Sequence, residues 1–481
     1  MLPASESIAR CKRCIDQASV QLSRQTTEAG RVDGALLKAH QVDVFSLAHH
    51  LANLAAAQAM LDWSAQHTQL EQDLTRTWCA MVTSEVFSWL EPRWDVLGVA
   101  RVQPDPGGFV ATTLESRKLA SLGKRVLEEG SGATGIDGTH AAIREAFSRF
   151  SDAELAPHAE QIHRQNTLVP ESILQALADL GVFGISIPES YGGTHLDHLA
   201  MIIATEELSR GSLGAGGSVI TRPEICARAL LAGGTEQQKQ RWLPAIASGQ
   251  HMVSVAVTEP DAGSDVASVR CTAQPTQGGY RINGEKTWCT FAGRADFLLL
   301  LARTSDEGHK GLSLFFVDKP PTLAGDKDEH SFSHQRADGS SLTGQAIGTI
   351  GYRGMHSFAI QLDDWFVAED QRIGPEGKGF YLMMEGFSGG RIQTAARAIG
   401  VMEAALREAC TYVQERRVFG ENLSDMPLTQ VKIAQMTARL QASRQLAYAT
   451  GRKMGGQDDG VAAALVKLLS CRQAEWVTRE A

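Results

Sequence analysis

The chain has 481 residues, 43% of them hydrophobic, with 46 Lys and Arg against 55 Asp and Glu and a net charge of −9. The composition is typical of a globular protein, and the length exceeds what one hydrophobic core holds, so several domains are expected. The acidic balance argues against a nucleic-acid partner. The longest apolar runs, such as residues 297–302, are too short to span a membrane, and the N-terminus has no secretory pattern. Eight scattered cysteines indicate a reducing compartment, so we expect a cytoplasmic protein without membrane contact.

The hydrophobic pattern divides the chain into helical and β segments. Apolar residues recur at helical spacing over residues 1–130, which predicts an N-terminal helical extension, and the Gly-rich residues 131–138 predict a linker. Residues 139–249 are expected to form a second helical domain. Short runs rich in β-branched and aromatic residues predict an antiparallel β domain over 250–370, with strands at 252–257, 280–288, 296–303, 312–318 and 358–367 and a hairpin turn at Asn283-Gly284. The helical period returns over 371–481, so the expected fold class is mainly α with a central β domain.

Two short motifs have a structural interpretation. Gly130, Gly132 and Gly135 match the dinucleotide pattern G-x-G-x-x-G, but a predicted helix precedes them where that motif needs a strand, which favours a linker. Cys11 and Cys14 form C-x-x-C without a second ligand pair, which favours packing. We therefore expect no metal site.

Two segments of the predicted β domain carry groups suited to a ligand. In the loop at 255–265, Gly263 shapes a turn, and Thr258 and Ser264 add hydroxyl groups that could bind an anionic or hydrogen-bond-accepting ligand. Further along, Trp288 and Thr290 fall on one face of a strand, where an indole and a hydroxyl could bind a flat heterocycle. Each segment taken alone could equally be a well-capped loop or part of a sheet core.

Four motifs occur in the order found in a known family. They are V-A-V-T-E-P-D-A-G-S-D at 255–265, E-K-T-W-C-T at 285–290, Gly390-Arg391 within a predicted helix, and E-R-R-V-F-G at 415–420. Over residues 140–481 the chain resembles the acyl-CoA dehydrogenase family. The resemblance implies a helical domain, a β-barrel domain and a C-terminal four-helix bundle, with FAD between the last two. The N-terminal helical extension is an addition to that fold.

The resemblance assigns contacts with FAD to eight residues of this sequence: Val257, Thr258, Gly263, Ser264, Trp288, Thr290, Arg416 and Phe419. The first two would hydrogen-bond the flavin ring, and Trp288 and Thr290 would cover its outer face. Arg416 and Phe419 match positions that reach the FAD of a neighbouring subunit, which implies a homodimer or a dimer of dimers. Arg391, with Ser264, would contact the CoA ester.

The implied reaction removes the α-hydrogen of an acyl-CoA thioester as a proton and the β-hydrogen as a hydride to FAD. An electron-transferring flavoprotein is the implied electron acceptor. The reaction needs a carboxylate base. Some members carry this base immediately before the helix arginine, where this chain has Gly390, and the others carry it near the C-terminus. We therefore expect the base beyond Ala481, and weak or no activity from the 481 residues alone.

The expected substrate is a short, branched, carboxylated acyl-CoA. The runs at 206–225 and 391–401 resemble a branch of the family that converts (2S)-methylsuccinyl-CoA to mesaconyl-CoA. Arg222 falls where the family builds its acyl pocket, and a guanidinium there would bind a terminal carboxylate through a bidentate fork. Alternatively, Arg222 pairs with Glu224 or reaches solvent.

Two other functions remain open from the sequence. A flavin-dependent monooxygenase of the same fold would consume O2 without a thioester substrate. A non-catalytic flavin-binding subunit would account for the added helical extension and the missing base.

Overall fold

Helices at both ends of the chain flank a central group of strands. The structure, a computed structural model, describes residues 1–321, 328–454 and 459–481. Residues 322–327 of the expected β domain and 455–458 of the expected bundle lie outside this description. The helices of the described residues are α1 (Leu2–Gln25), α2 (Gly34–Ala39), α3 (Gln41–Ser64), α4 (Gln69–Leu90), α5 (Phe109–Thr113), α6 (Ser116–Glu129), α7 (Gly138–Phe150), α8 (Ala156–Gln165), α9 (Glu171–Asp179), α10 (His198–Gly211), α11 (Thr221–Gly233), α12 (Glu236–Ala247), α13 (Gly379–Glu415), α14 (Pro427–Gly451) and α15 (Asp459–Glu480).

The strands form one large sheet and two short hairpins. They are β1 (Thr27–Glu28), β2 (Arg31–Val32), β3 (Val253–Ala256), β4 (Thr272–Thr276), β5 (Gly279–Thr290), β6 (Phe297–Arg303), β7 (Leu312–Asp318), β8 (Ser331–Gln335), β9 (Ser341–Ala346), β10 (Ser357–Ala368), β11 (Arg372–Ile373), β12 (Arg417–Val418) and β13 (Glu421–Asn422). The expected fold class, mainly α with a central β domain, is confirmed. Among the described helices, none combines the length and hydrophobicity that a membrane span requires.

The chain divides into two compact units. One contains residues 1–138 together with 394–481, and the other contains residues 139–393. The N-terminal extension therefore shares a unit with most of the C-terminal helices. The second unit contains the β domain and the helices that precede it.

In the first unit, α14 packs against α3, α4, α6 and α15. The contact with α6 is close, because a Cβ added at Gly123 would lie 1.8 Å from the backbone oxygen of Gln430. Cys11 and Cys14 are both free and buried on α1, and burial raises the pKa of the Cys11 thiol to about 11.

The Gly-rich segment after α6 is fixed along α14. Backbone oxygens of Ser131, Thr134 and Gly135 accept hydrogen bonds from side chains of Gln441 (2.7 Å), Gln445 (3.1 Å) and Arg452 (2.8 Å). A Cβ at Gly135, whose φ is +70°, would lie 2.6 Å from the indole of Trp63. This segment, residues 131–138, is therefore held in place within the unit, although its composition is that of a flexible spacer. We call it the strap.

In the second unit, the large sheet has the order β11-β7-β6-β4-β5-β10-β9-β8, with β3 added beside β6. Most neighbours are antiparallel, but β3 runs parallel to β6. Both faces of β6 are buried: Leu299 and Leu301 pack in the cluster that contains Trp242 of α12, and Leu298 and Leu300 pack in the cluster on the opposite face. This two-sided burial explains the continuous apolar run at 297–302.

The predicted hairpin turn at Asn283-Gly284 is wrong. Both residues lie inside β5, and the turn from β4 to β5 is made by residues 277–278. Gly284 is needed there for a close approach, since a Cβ would lie 2.8 Å from Cα of Cys271. The Asn283 side chain accepts a hydrogen bond from the backbone N–H of Asp364, at 2.8 Å, where β10 departs from regular pairing with β5.

Candidate cofactor and substrate site

A buried ion pair holds the loop that follows β3. The Lys286 ammonium on β5 donates to the Glu259 carboxylate (2.7 Å) and to the backbone oxygen of Val257 (3.1 Å). The same carboxylate accepts from the backbone N–H groups of Arg270 (2.7 Å) and Cys271 (2.9 Å). The Lys286 and Glu259 side chains are 0% and 8% exposed. The Lys286 ammonium and the Glu259 carboxylate each contact the opposite charge and backbone hydrogen-bonding groups. The pair therefore fixes the loop without leaving a buried charge uncompensated.

Above this pair, the loop presents an open surface around Thr258. The backbone oxygen of Thr258 accepts from the N–H of Thr287 at 2.8 Å, which joins the loop to β5. The Thr258 side chain is half-buried, and Gly263 and Ser264 are exposed. A Cβ added at Gly263 would have one described neighbour within 4 Å, the Thr258 methyl at 3.9 Å. There is therefore room for a ligand beside the Thr258 hydroxyl.

Trp288 stands out from the sheet at a β-bulge. Its φ is +58°, and it lies where the pairing of β5 with β10 shifts register. The indole is 55% exposed, whereas its neighbour Cys289 is fully buried. Thr290, further along β5, shares a hydrogen bond of 2.9 Å with the hydroxyl of Ser357. A bulky residue with positive φ is strained, and strain of this kind is concentrated at functional sites.

The predicted cofactor residues fall in both units. Val257, Thr258, Trp288 and Thr290 are brought together by the pairing and hydrogen bonds of the second unit, and Gly263 and Ser264 lie in the same loop. Arg416 and Phe419 belong to the first unit. Arg416 precedes the β12–β13 hairpin and Phe419 lies at its turn, with φ +52° and a fully exposed ring.

Arg222, on α11, lies in a cluster of hydroxyl groups. Its guanidinium donates to the backbone oxygen of Ser218 at 2.7 Å, to the Ser218 hydroxyl, and to the phenol oxygen of Tyr352 at 3.2 Å. It makes no ion pair with a described residue, and its side chain is half-buried. Glu224 does not pair with it, because that carboxylate accepts from Arg228 at 2.9 Å.

Three family models match consecutive parts of the chain. They describe the N-terminal, middle and C-terminal domains of acyl-CoA dehydrogenases and match residues 137–250, 254–365 and 377–481. The 2-methylacyl-CoA dehydrogenase of Solanum tuberosum mitochondria is 34% identical over 319 residues, which cover 66% of this chain and 73% of that protein. The chain belongs to the acyl-CoA dehydrogenase family.

One further relative and one solved structure carry information about the substrate and the cofactor. The (2S)-methylsuccinyl-CoA dehydrogenase of Cereibacter sphaeroides is 42% identical over 347 residues, which cover 71% of this chain and 62% of that relative's length. The solved structure of PigA with FAD and proline is 25% identical, with a TM-score of 0.63, over 72% of this chain and 86% of that one. The cofactor of the acyl-CoA dehydrogenase family is FAD.

The second unit fits the flavin of this family. Its open surface has a hydroxyl at Thr258, a protruding indole at Trp288, and a glycine at 263 that keeps the approach clear. A planar heterocycle needs such a combination of an aromatic face and a hydrogen-bonding edge. When bound, FAD supplies the two-electron acceptor for oxidation of a CH–CH bond.

Gly390 is the position at which the resemblance implied an alternative place for the catalytic base. A Cβ at Gly390 would lie 3.3 Å from Ile225 of α11, so this position packs closely against that helix. Arg391 next to it is exposed. The nearby carboxylate of Glu224 is 4% exposed, and burial raises its pKa, but the Arg228 ion pair already engages it. The catalytic base remains unassigned among the described residues.

Glu259 and Lys286 have a role that the sequence interpretation missed. Both stand inside the motifs at 255–265 and 285–290, but the predicted contacts went to their neighbours. The sequence did contain a signal for this ion pair, namely opposite charges in two motifs of one β domain. Spacing along the chain does not show whether a residue is buried. Burial is what makes this ion pair important.

Proposed function

We propose that the chain binds FAD and oxidises the α,β bond of a short, branched acyl-CoA that ends in a carboxylate, with (2S)-methylsuccinyl-CoA as substrate and mesaconyl-CoA as product. The single observation that carries the substrate class is Arg222. A half-buried guanidinium without a carboxylate partner among the described residues is ready to accept one. The relative from Cereibacter sphaeroides supports the choice of acyl group.

In this proposal the chain's own residues bind and orient. Thr258 would hold the edge of the flavin, and Trp288 would cover its face and exclude water. Arg222 would fix the far carboxylate of the substrate, assisted by the hydroxyls of Ser218 and Tyr352 that already contact it. Fixing the acyl chain at its far end limits the positions of the α and β carbons, which is how binding energy is converted into orientation.

The subunit and electron-transfer partners are part of the same proposal. We expect Arg416 and Phe419 to reach the FAD of a second copy in a homodimer or dimer of dimers, because Phe419 is exposed at the turn of the β12–β13 hairpin and Arg416 is exposed immediately before it. An electron-transferring flavoprotein is the proposed acceptor.

Flavin retention tests the cofactor site. Thr258→Val removes one hydroxyl without changing side-chain size and should weaken FAD binding about 5-fold, the equivalent of one net hydrogen bond. Trp288→Ala should weaken it further, because it removes the aromatic face. Thr276→Val, on the exposed end of β4, is the matched control. Dissociation constants follow from flavin fluorescence, and unchanged retention in both site variants would refute this placement.

Ligand binding tests the role of Arg222 without requiring turnover. Arg222→Ala should weaken methylsuccinyl-CoA binding about 100-fold, since a charged hydrogen-bonded contact is lost, and leave butyryl-CoA binding unchanged. Arg164→Ala, which alters an exposed ion pair on α8, is the control. Perturbation of the flavin absorption spectrum reports both affinities. An unchanged ratio of the two affinities would remove Arg222 from substrate selection.

Anaerobic flavin reduction and O2 uptake together separate the alternatives. Anaerobic bleaching of the flavin by methylsuccinyl-CoA supports the dehydrogenase, and it need only be slow because no described residue is assigned as the base. Steady O2 consumption with reduced flavin and no thioester would instead favour the monooxygenase.

A further inference from the structure

Three potential metal ligands lie together in the second unit, and none of them is assigned to flavin or substrate. They are the carboxylate of Glu329 and the imidazoles of His330 and His356, whose donor atoms all lie within 4.8 Å of one another. Glu329 and His330 occupy the turn before β8, and His356 directly precedes β10. The two imidazole rings have centroids 4.6 Å apart and are tilted by 25°.

His356 has the protonation pattern of a metal ligand. Its side chain is 6% exposed, and its Nε2 atom is buried without a hydrogen-bond partner among the described residues. The other ring nitrogen is hydrogen-bonded to the backbone of Asn166 and therefore serves as the donor to that carbonyl. This arrangement leaves a lone pair on Nε2 facing no partner. Metal-bound histidines adopt this tautomer, with the second N–H donated to a carbonyl or carboxylate.

The other two donors are oriented by the same short segment. The Asn166 side chain hydrogen-bonds Nε2 of His330 at 3.1 Å, and Oε1 of Glu329 accepts from the backbone N–H of Leu168 at 3.2 Å. With Nδ2 of Asn166 donating to Nε2, the proton of the neutral ring is on Nδ1; a 180° turn of the amide presents its oxygen to an Nε2–H instead, and Nδ1 then has the lone pair that binds an ion. Outer contacts of this kind hold metal ligands in position. The segment at 166–168 thus contacts all three groups.

We propose that Glu329, His330 and His356 bind one Zn²⁺ ion. Two imidazole nitrogens and one carboxylate oxygen form a donor set that Zn²⁺ accepts, whereas Mg²⁺ and Ca²⁺ require oxygen ligands. Ligands at ~2.0 Å from a tetrahedral ion lie ~3.3 Å apart, so the donors close by up to ~1.5 Å when it binds. Rotation of the Glu329 and His330 side chains on their turn provides this movement, and water fills the fourth position.

The ion fastens the 166–168 segment to the sheet beside the flavin-facing strand. The backbone oxygen of His356 accepts from the N–H of Phe291 at 2.8 Å, immediately after Thr290. The role is therefore structural support for the end of β5 that carries Trp288 and Thr290, and it is independent of the proposed reaction.

Metal titration of the untagged, chelator-treated full chain tests the site. We expect one equivalent of Zn²⁺ to bind and to raise the melting temperature, and Co²⁺ to give the visible absorption of a tetrahedral site with nitrogen and oxygen ligands. His356→Ala should lower the affinity for both ions at least tenfold. His158→Ala, an exposed histidine on α8, should leave it unchanged.

A second variant distinguishes a loss of metal binding from a folding defect in His356→Ala. Glu329→Gln can still accept the hydrogen bond from Leu168 but loses the charge, so it should fold normally, as judged by circular dichroism, and still bind Zn²⁺ at least tenfold more weakly. Two outcomes would overturn the proposal: no saturable metal binding by the parent chain, or equal affinity in the parent, Glu329→Gln and His356→Ala proteins.

Discussion

At the scale of single residues, Lys286 shows how a charge supports a binding surface that it does not form. Its ammonium is fully buried, and it joins the Glu259 carboxylate to the backbone of Val257. Removing one member of a buried pair leaves the other charge without compensation, which costs more than the pair itself contributes. The loop that carries Thr258 should therefore depend on this pair for its conformation.

Lys286→Met tests this dependence. We expect the sheet-containing unit to lose about 3 kcal/mol of stability, from the uncompensated Glu259 charge, together with its ability to retain FAD. Thermal melting measures the loss of stability, and flavin fluorescence measures how much FAD is retained. Lys432→Met breaks a partly exposed pair with Glu480 and should cost less than about 1 kcal/mol. The double variant Glu259→Gln/Lys286→Met should recover part of the loss, and a double variant worse than both single ones would contradict the explanation.

Candidate residue types for the site could be named from the sequence, but their conformations could not. The motifs singled out Thr258 and Trp288 as candidates, because hydroxyl and indole groups have recognisable chemistry. The positive φ of Trp288 arises where β5 and β10 lose register, and such a bulge depends on the pairing of residues about 70 positions apart. Likewise, the sequence left Arg222 with Glu224 as a possible partner, and packing assigned that carboxylate to Arg228.

At the scale of elements, a second buried pair joins α13 to α14. Glu403 is 5% exposed and Arg444 is 1% exposed, with 2.9 Å between their nearest charged atoms, and Arg407 also contacts the carboxylate at 2.9 Å. Burial alone would raise the pKa of Glu403, but the two guanidinium groups outweigh it and lower the pKa to about 2. The pair should therefore make the stability of this unit depend on pH.

The direction of that dependence follows from the two pKa values. The unfolded chain protonates Glu403 near the ordinary value of 4.5 and the folded chain near 2, so the stabilisation is complete above pH 4.5 and disappears as the pH falls to 2. Glu403→Gln should cost about 3 kcal/mol at neutral pH and progressively less between pH 4.5 and 2. Melting curves of both proteins across this range measure the difference. A difference that stays constant with pH would contradict the assignment.

Element type was predictable where burial imposed a strong pattern. The apolar runs of β6 and β7 indicated strands because both of their faces are covered. The strands β4, β8 and β9 were not predicted, since their sequences are largely polar and lack a hydrophobic alternation. The Asn283-Gly284 pair looked like a turn, yet pairing with β4 and β10 keeps it within β5. Tertiary contacts therefore decided the cases in which local signals were weak or misleading.

At the scale of the whole molecule, the sequence could divide the chain into segments but could not assign them to units. Residues 1–130 read as a separate extension, and the glycines after it read as a boundary. Periodicity identifies the apolar face of a helix without identifying what covers it. The structure places that extension in one compact unit with residues 394–481, where α14 contacts α3, α4 and α6.

This shared unit predicts that the extension stays bound after the chain is cut. A protease site inserted directly after Gly130, where no described atom would lie within 4 Å of an added Cβ, can be cleaved between α6 and the strap. Because α6 and α14 pack closely, both fragments should co-elute on size exclusion under native conditions. Gly123→Leu places a side chain against the backbone of Gln430 and should release the N-terminal fragment at lower urea, whereas Gly460→Leu, which meets open space on α15, should not. Separation of the cleaved parent protein without denaturant would show that the extension is not part of this unit.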